Sequence, residues 1–234
     1  MRRLLAMLLI PAAAIVATPT LAGGGIDGDD DLEVELVSQI EPLTFLATFE
    51  EDETCVEGEF TALIEANGSE VTPISVTQQA DPDEFLIVLP SGTPPGDLFV
   101  EIECDNGDGD TEASGEVEWA AIPVTKVVSG PAPATATFTV HLDCVGDVEV
   151  PDDGPVLEEL PEDFTADLQY GVAGGLKYVY TDHPNVCTVT EPVNGGATSV
   201  TITPQVVDTS PAPASYPVTV TNTFAAAIQP NFTG

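Results

Sequence analysis

Leu32-Glu33-Val34-Glu35-Leu36-Val37 is the stretch that decides the fold. Apolar and acidic residues alternate along it, the period-two pattern of a strand with one face in a core and the other in water. The same texture continues downstream at residues 43–49, 58–66, 71–77, 84–89, 98–104 and 113–122. Turn residues separate these runs, among them Asn67-Gly68, a favoured hairpin turn. Helical periodicity is weak, and 21 prolines and 20 glycines discourage long helices. Seven or so short strands predict a β-sandwich over residues 32–123. A second set predicts another sandwich over residues 124–224. It opens with a strand between Pro123 and Pro131-Ala132-Pro133, followed by runs at 135–144, 164–168, 177–180, 186–192, 197–203 and 217–224. Residues 147–163 read as an acidic loop or edge, 206–215 as a proline-containing connection and 225–234 as a tail. The expected class is all-β, with two β-sandwiches in tandem.

The start of the chain sets the compartment. Met1-Arg2-Arg3 is positive, residues 4–17 are apolar apart from Pro11, and Thr20-Leu21-Ala22 places small residues before a cleavage point. This is the layout of a secretory signal peptide spanning residues 1–22. The apolar run falls short of the ~20 residues that a membrane span needs. Residues 23–31 form a Gly/Asp-rich leader. Cys55, Cys104, Cys144 and Cys187 all follow the expected cut, and an even number in an exported chain implies disulfides. Three pairings are open. Neighbour pairing, Cys55 with Cys104 and Cys144 with Cys187, is favoured because each bond then closes within one domain. No Cys-x-x-Cys pair is present to support a zinc ribbon or a thioredoxin-like site.

Charge is the most unusual property. The chain has 40 acids against 4 Lys plus Arg, a formal charge of -36. Arg2 and Arg3 would leave with the signal, so Lys126 and Lys177 alone would stand against all 40 acids. From Gly23 to Pro123 there are 27 acids and no Lys, Arg or His. That half cannot form a side-chain salt bridge within itself, and its carboxylates repel one another. Nucleic acid and anionic lipid are poor partners for such a surface. The plainest reading is a solvated acidic coat suited to a salty habitat; Ca²⁺ binding and steering of a basic partner are the alternatives. An apolar fraction of 43% with strand patterning argues against disorder for most of the chain.

The first half resembles bacterial immunoglobulin-like surface repeats. The resemblance rests on Cys55-Val56-Glu57-Gly58, Phe85 through Pro90, and Pro95-Gly96-Asp97-Leu98 through Cys104. Trp119 comes too late to be the core tryptophan that lies between the two cysteines of antibody domains. The second half resembles an actinobacterial repeat family, domain of unknown function 5979, which is similar to the B-type stalk domains of collagen adhesins. The matching residues are Val124-Thr125-Lys126, Phe138-Thr139-Val140 with Cys144, Cys187-Thr188-Val189-Thr190-Glu191, and Val218 through Phe224. The Asp182-His183-Pro184-Asn185 turn departs from the pattern. Stalk domains of this type can join a first-strand Lys to a last-strand Asn with help from a Glu, and the resemblance places these roles on Lys126, Asn222 and Glu191.

Other sites carry weaker signals. Asp105, Asp108, Asp110 and Glu112 supply oxygens enough for Ca²⁺, the one cofactor in question, but their spacing is not that of an EF-hand. A plain hairpin turn is the simpler reading. His141 and His183 are the only imidazoles, and the sequence contains no Gly-x-Ser-x-Gly elbow, His-Glu-x-x-His helix or phosphate-binding glycine loop. Paired acids arise by chance in so acidic a chain and do not point to glycoside hydrolysis. Asn67-Gly68-Ser69 and Asn231-Phe232-Thr233 match the glycosylation sequon. The expectation is a non-catalytic, secreted or surface-associated structural or adhesion module whose partners are extracellular proteins or glycans. A secreted ligand-binding protein, for Ca²⁺, glycan or a basic protein, is the alternative. No Leu-Pro-x-Thr-Gly motif, apolar tail or lipobox cysteine points to covalent anchoring.

Overall fold

The computed structural model describes residues 32–49, 55, 60–105, 110–146, 163–182 and 185–226. The expected signal and leader, Asp108, His183, Asn231 and most of the acidic 147–163 segment lie outside the described residues. Among the described residues every regular element is a strand, and no helix is long and apolar enough to cross a membrane. The fold is all-β, built of sheets packed face to face.

The first sheet has the order β1 (Leu32–Ser38), β2 (Leu43–Phe49), β6 (Glu84–Leu89), β5 (Ser75–Gln78). The opening stretch is its edge strand, with Leu32, Val34 and Leu36 buried and the glutamates between them exposed. The long sheet has the order β13 (Ser199–Thr203), β15 (Val218–Thr223), β8 (Asp110–Ser129), β7 (Gly96–Asp105), β3 (Phe60–Ala66), β4 (Ser69–Glu70), and β11 (Gly175–Asp182) also pairs with β8. The third sheet has the order β10 (Phe164–Tyr170), β9 (Phe138–Gly146), β12 (Asn185–Asn194), β14 (Val206–Asp208).

β8 organises the molecule. Its odd-numbered residues Ala113, Trp119 and Ala121 belong to a core against the first sheet. Its even-numbered residues Ile122 and Val124 belong to a core against the third. Successive side chains of a strand point to opposite faces, so one strand of 20 residues serves two cores on its two sides. The expected boundary between Pro123 and Val124 falls inside this strand. Gly115 faces the first core where a Cβ would lie 1.9 Å from the Leu32 carbonyl oxygen, so only glycine lets β1 come so close.

Pro123 is tolerated mid-strand because of where its nitrogen points. Ala121 N–H donates to Ala214 O and Ala121 O accepts from Tyr216 N–H, both on the flank away from β11. Pro123 directs its backbone the same way. On that flank the pairing with β7 ends at Trp119 and the pairing with β15 begins at Val124. The missing N–H therefore falls between the isolated bridge at Ala121 and the ladder that begins at Val124, while the β11 ladder on the other flank runs through unbroken.

The two cores share more than β8. Trp119, fully buried, packs edge-on against Phe45 of β2 and against Tyr180 of β11, with ring centroids 6.0 and 5.7 Å away. A tyrosine from the second half of the chain thus completes the first core. Disulfides join Cys55 to Cys104 and Cys144 to Cys187, the latter directly opposite each other on β9 and β12.

Candidate crosslinking site in the second core

Lys126 sits near the end of β8 on the face turned to the second core, and only 3% of its surface is exposed. β15 runs parallel beside it, with Val220 opposite Lys126 and Asn222 opposite Val128. Inward residues alternate along β15 as Val218, Val220 and Asn222, so the carboxamide of Asn222 lies one diagonal step from Lys126 on the same face. Asn222 is completely buried.

Glu191 arrives from the facing sheet. Along β12 the inward series is Cys187, Val189, Glu191. Thr190 pairs with His141 and Val193 with Thr139, so Glu191 and Pro192 together oppose Val140. This two-against-one bulge accommodates a proline that cannot donate to the ladder and re-aims the strand at the carboxylate. The Glu191 side chain is 1% exposed.

The three groups meet. Lys126 Nζ contacts both Glu191 Oε1 and Asn222 Oδ1. Asn222 Nδ2 donates to the Asn194 carbonyl at 3.0 Å. That carbonyl can only accept, which fixes the amide with its nitrogen toward Asn194 and its oxygen toward Lys126. Phe138 of β9 covers the amine, its ring centroid 4.6 Å from Nζ, and is itself backed edge-on by Phe224. Glu191 Oε2 is buried and finds no hydrogen-bond donor among the described residues. Burial pushes the Lys126 ammonium below its ordinary pKa, while the hydrogen bond and charge of Glu191 pull it back up.

A buried lysine whose amine touches a primary carboxamide has the reactants of an amide exchange at hand, with a carboxylate on the same amine to carry the proton. Sequence reading misses three residues that shape this pocket: Phe138, Asn194 and Gly195. The Gly195-Gly196 pair after Asn194 is the available signal, since consecutive glycines mark a tight turn.

Of the remaining candidates, Asp108 and the side chains of Asp105 and Asp110 lie outside the described residues. The backbones of Asp105 and Asp110 pair at the end of the β7–β8 hairpin, and Glu112 pairs with Glu103. Among the described residues no group of three or more His, Cys, Asp or Glu gathers to hold a metal. Instead the outward face of this hairpin sets like charges opposite each other, Asp97 against Glu118 and Glu103 against Glu112. Burial, and then the charges of Glu112, Glu103 and Glu65, raise the pKa of Glu101. His141 Nδ1 lies 2.9 Å from Asp167 Oδ1 across an exposed strand pair, with no nucleophile in that contact.

No protein-family model matches the chain, and no curated protein matches it. Among solved structures it is similar to the group B streptococcus pilus 2b backbone protein, at 10% identity and a TM-score of 0.30, covering 82% of this chain and 98% of that one. It is also similar to the major pilin T3.2 of Streptococcus pyogenes, at 14% identity and a TM-score of 0.30, covering 81% and 70%. A third is the major pilin SpaA of Corynebacterium diphtheriae, whose structure points to a modular pilus assembly stabilizing isopeptide bonds. Identity there is 10% and the TM-score 0.30, covering 81% and 66%.

Proposed function

We propose that Lys126 and Asn222 form an intramolecular amide crosslink with Glu191 as proton carrier, and that the chain is a non-catalytic extracellular structural or adhesion module. The observation that carries this reading is the contact of Lys126 Nζ with both Glu191 and the Asn222 carboxamide inside an apolar core.

The chemistry balances without a co-reactant. Proton transfer from the Lys126 ammonium to the Glu191 carboxylate turns a buried ion pair into two neutral groups, which low dielectric favours. The freed Nζ lone pair adds to Cγ of Asn222, and the protonated Glu191 hydrogen-bonds the developing oxyanion. Glu191 then passes a proton from Nζ to Nδ2. The Cγ–Nδ2 bond breaks, ammonia leaves, and the Nζ–Cγ amide remains.

The position of the bond favours a mechanical role. Lys126 and Asn222 stand 96 positions apart in the chain but on neighbouring parallel strands. Tension entering through β8 and leaving through β15 would pass through the amide and bypass everything folded between. Two disulfides, with no free cysteine among the described residues, suit an oxidising compartment.

Intact mass of the purified, reduced protein tests the reading. The expected mass is one ammonia below that of the linear chain, and Lys126→Ala, Glu191→Ala and Asn222→Ala should each carry the full mass. A wild-type chain at full mass removes the crosslink.

A further inference from the structure

The turn between β12 and β13 bears directly on Asn222. β12 belongs to the third sheet and β13 to the long sheet, so this turn crosses between them at the rim of the second core. Gly195 and Gly196 have φ of 62° and 80°, the left-handed values that a type I′ turn needs at both central positions. Ala197 N–H closes the turn by donating to Asn194 O at 3.1 Å. Asn194 Oδ1 braces it by accepting from Gly196 N–H at 3.0 Å. The same Asn194 carbonyl accepts from Asn222 Nδ2, the nitrogen that would depart.

The two glycines differ in surroundings. A Cβ on Gly195 would lie 2.7 Å from Cε1 and 3.0 Å from Cζ of Phe138, the ring that covers Lys126 Nζ. A Cβ on Gly196 would meet nothing within 4 Å. Outside the turn lies an open groove of ≈ 480 Å³, lined in part by Pro133, Ala136, Pro192, Asn194 and Gly195.

We infer that Asn194 and Gly195 are positioning residues for the crosslinking reaction, and that the groove beside them receives the ammonia. This rests on the crosslink reading above and adds to it how the amide is presented. Asn194 holds the carboxamide by its leaving nitrogen, so the carbonyl oxygen is turned toward the amine and the carbon is kept beside it. Gly195 leaves room for Phe138 to lie against Nζ and keep water from it. The bond that breaks, Cγ–Nδ2, thereby points at Asn194, which lines the groove, and the bond that forms stays in the core.

A time course of intact mass on freshly expressed full-length chain tests this. Asn tolerates the left-handed region better than most residues, so Gly195→Asn and Gly196→Asn impose a similar backbone demand and differ in the contact with Phe138. Gly195→Asn should lose ammonia ~10-fold or more slowly, in keeping with the cost of a small misplacement of reacting groups. Gly196→Asn should keep pace with wild type, and both should show the wild-type disulfides. Should Gly195→Asn misfold, Phe138→Leu alone and combined with it provide a second measure. With the ring gone, the side chain added at position 195 should slow the reaction no further. Equal rates for both glycine variants, equal slowing of both, or multiplicative slowing in the double variant would each overturn the positioning role while leaving the crosslink in place. A wild-type chain that never loses ammonia overturns both.

Discussion

At the scale of single residues, Lys126 has most at stake. In the resting pair its burial is compensated by Glu191, and removing one partner of a buried ion pair costs about 3–5 kcal/mol because the other charge is left stranded. Its titration also controls the proposed reaction. An ammonium has no lone pair, so only the neutral amine attacks. Burial lowers the Lys126 pKa from its ordinary 10.5, so a larger neutral fraction is present at any given pH than on an exposed lysine. The sign follows: attack uses the pair while it still holds one proton, on Glu191, so ammonia loss should hold steady while the pair keeps that proton and fall as it is lost, at a midpoint below 10.5. Intact mass at timed intervals across a pH series measures this. A midpoint at or above the value of free lysine would mean that burial does not prepare the nucleophile. The trio itself is legible in the sequence through a family resemblance, and a cation-poor chain draws attention to Lys126. What the sequence does not show is the surrounding pocket. Phe138 reads as one more inward apolar residue, and the role of Asn194 is carried by its backbone carbonyl, which has no residue-type signature.

At the scale of elements, β8 is where sequence and structure part. Alternation locates β1, β2, β6 and β15 almost to the residue, because each has one face buried by a single core. Pro123 breaks the pattern of β8, and the sequence predicts two separate strands meeting at a domain boundary. The strand continues because β11 pairs along its other flank without a break from Trp119 to Lys126, a property of neighbouring strands that one strand's sequence does not contain. The residues 119–122 are all buried because both faces of β8 are covered there, and a short all-apolar run is ambiguous in isolation. The short β14 lies inside what reads as a connection, since three residues are too few for a periodic signal. Shared construction has an energetic consequence. Trp119 packs on Phe45 from the first half and Tyr180 from the second, so its loss should weaken both cores together. Trp119→Ala should cost ~3–5 kcal/mol and move a single melting transition. Two transitions in calorimetry, only one of them shifted by the substitution, would show that the halves unfold independently in spite of β8.

At the scale of the whole molecule, charge and covalent ties set the response to solvent and to force. The first half carries no cation of its own between Gly23 and Pro123, and its hairpin face sets Glu103 against Glu112 and Asp97 against Glu118. Directly opposed like charges destabilise a sheet, and salt screens exposed charges beyond a Debye length of ~10 Å at 0.1 M. The melting midpoint should therefore rise with added NaCl, and an unchanged midpoint would show that this repulsion is already relieved in the fold. Force probes the other tie. β8 and β15 are parallel, so opposite pulls at the entrance of β8 and the exit of β15 load the pair in shear, directly across Lys126 and Asn222. If the amide is present, the 96-position stretch between them stays out of the load path and cannot lengthen. Without it, under reducing conditions, that stretch would release about 320–350 Å of chain at 3.3–3.6 Å per residue. Single-molecule extension of reduced wild type beside reduced Asn222→Ala separates the two states. The variant should show the long release and the wild type should not. A wild type that extends as far as the variant would leave the second core held only by its hydrogen bonds and packing, which is the behaviour of an ordinary sandwich and not of a crosslinked stalk.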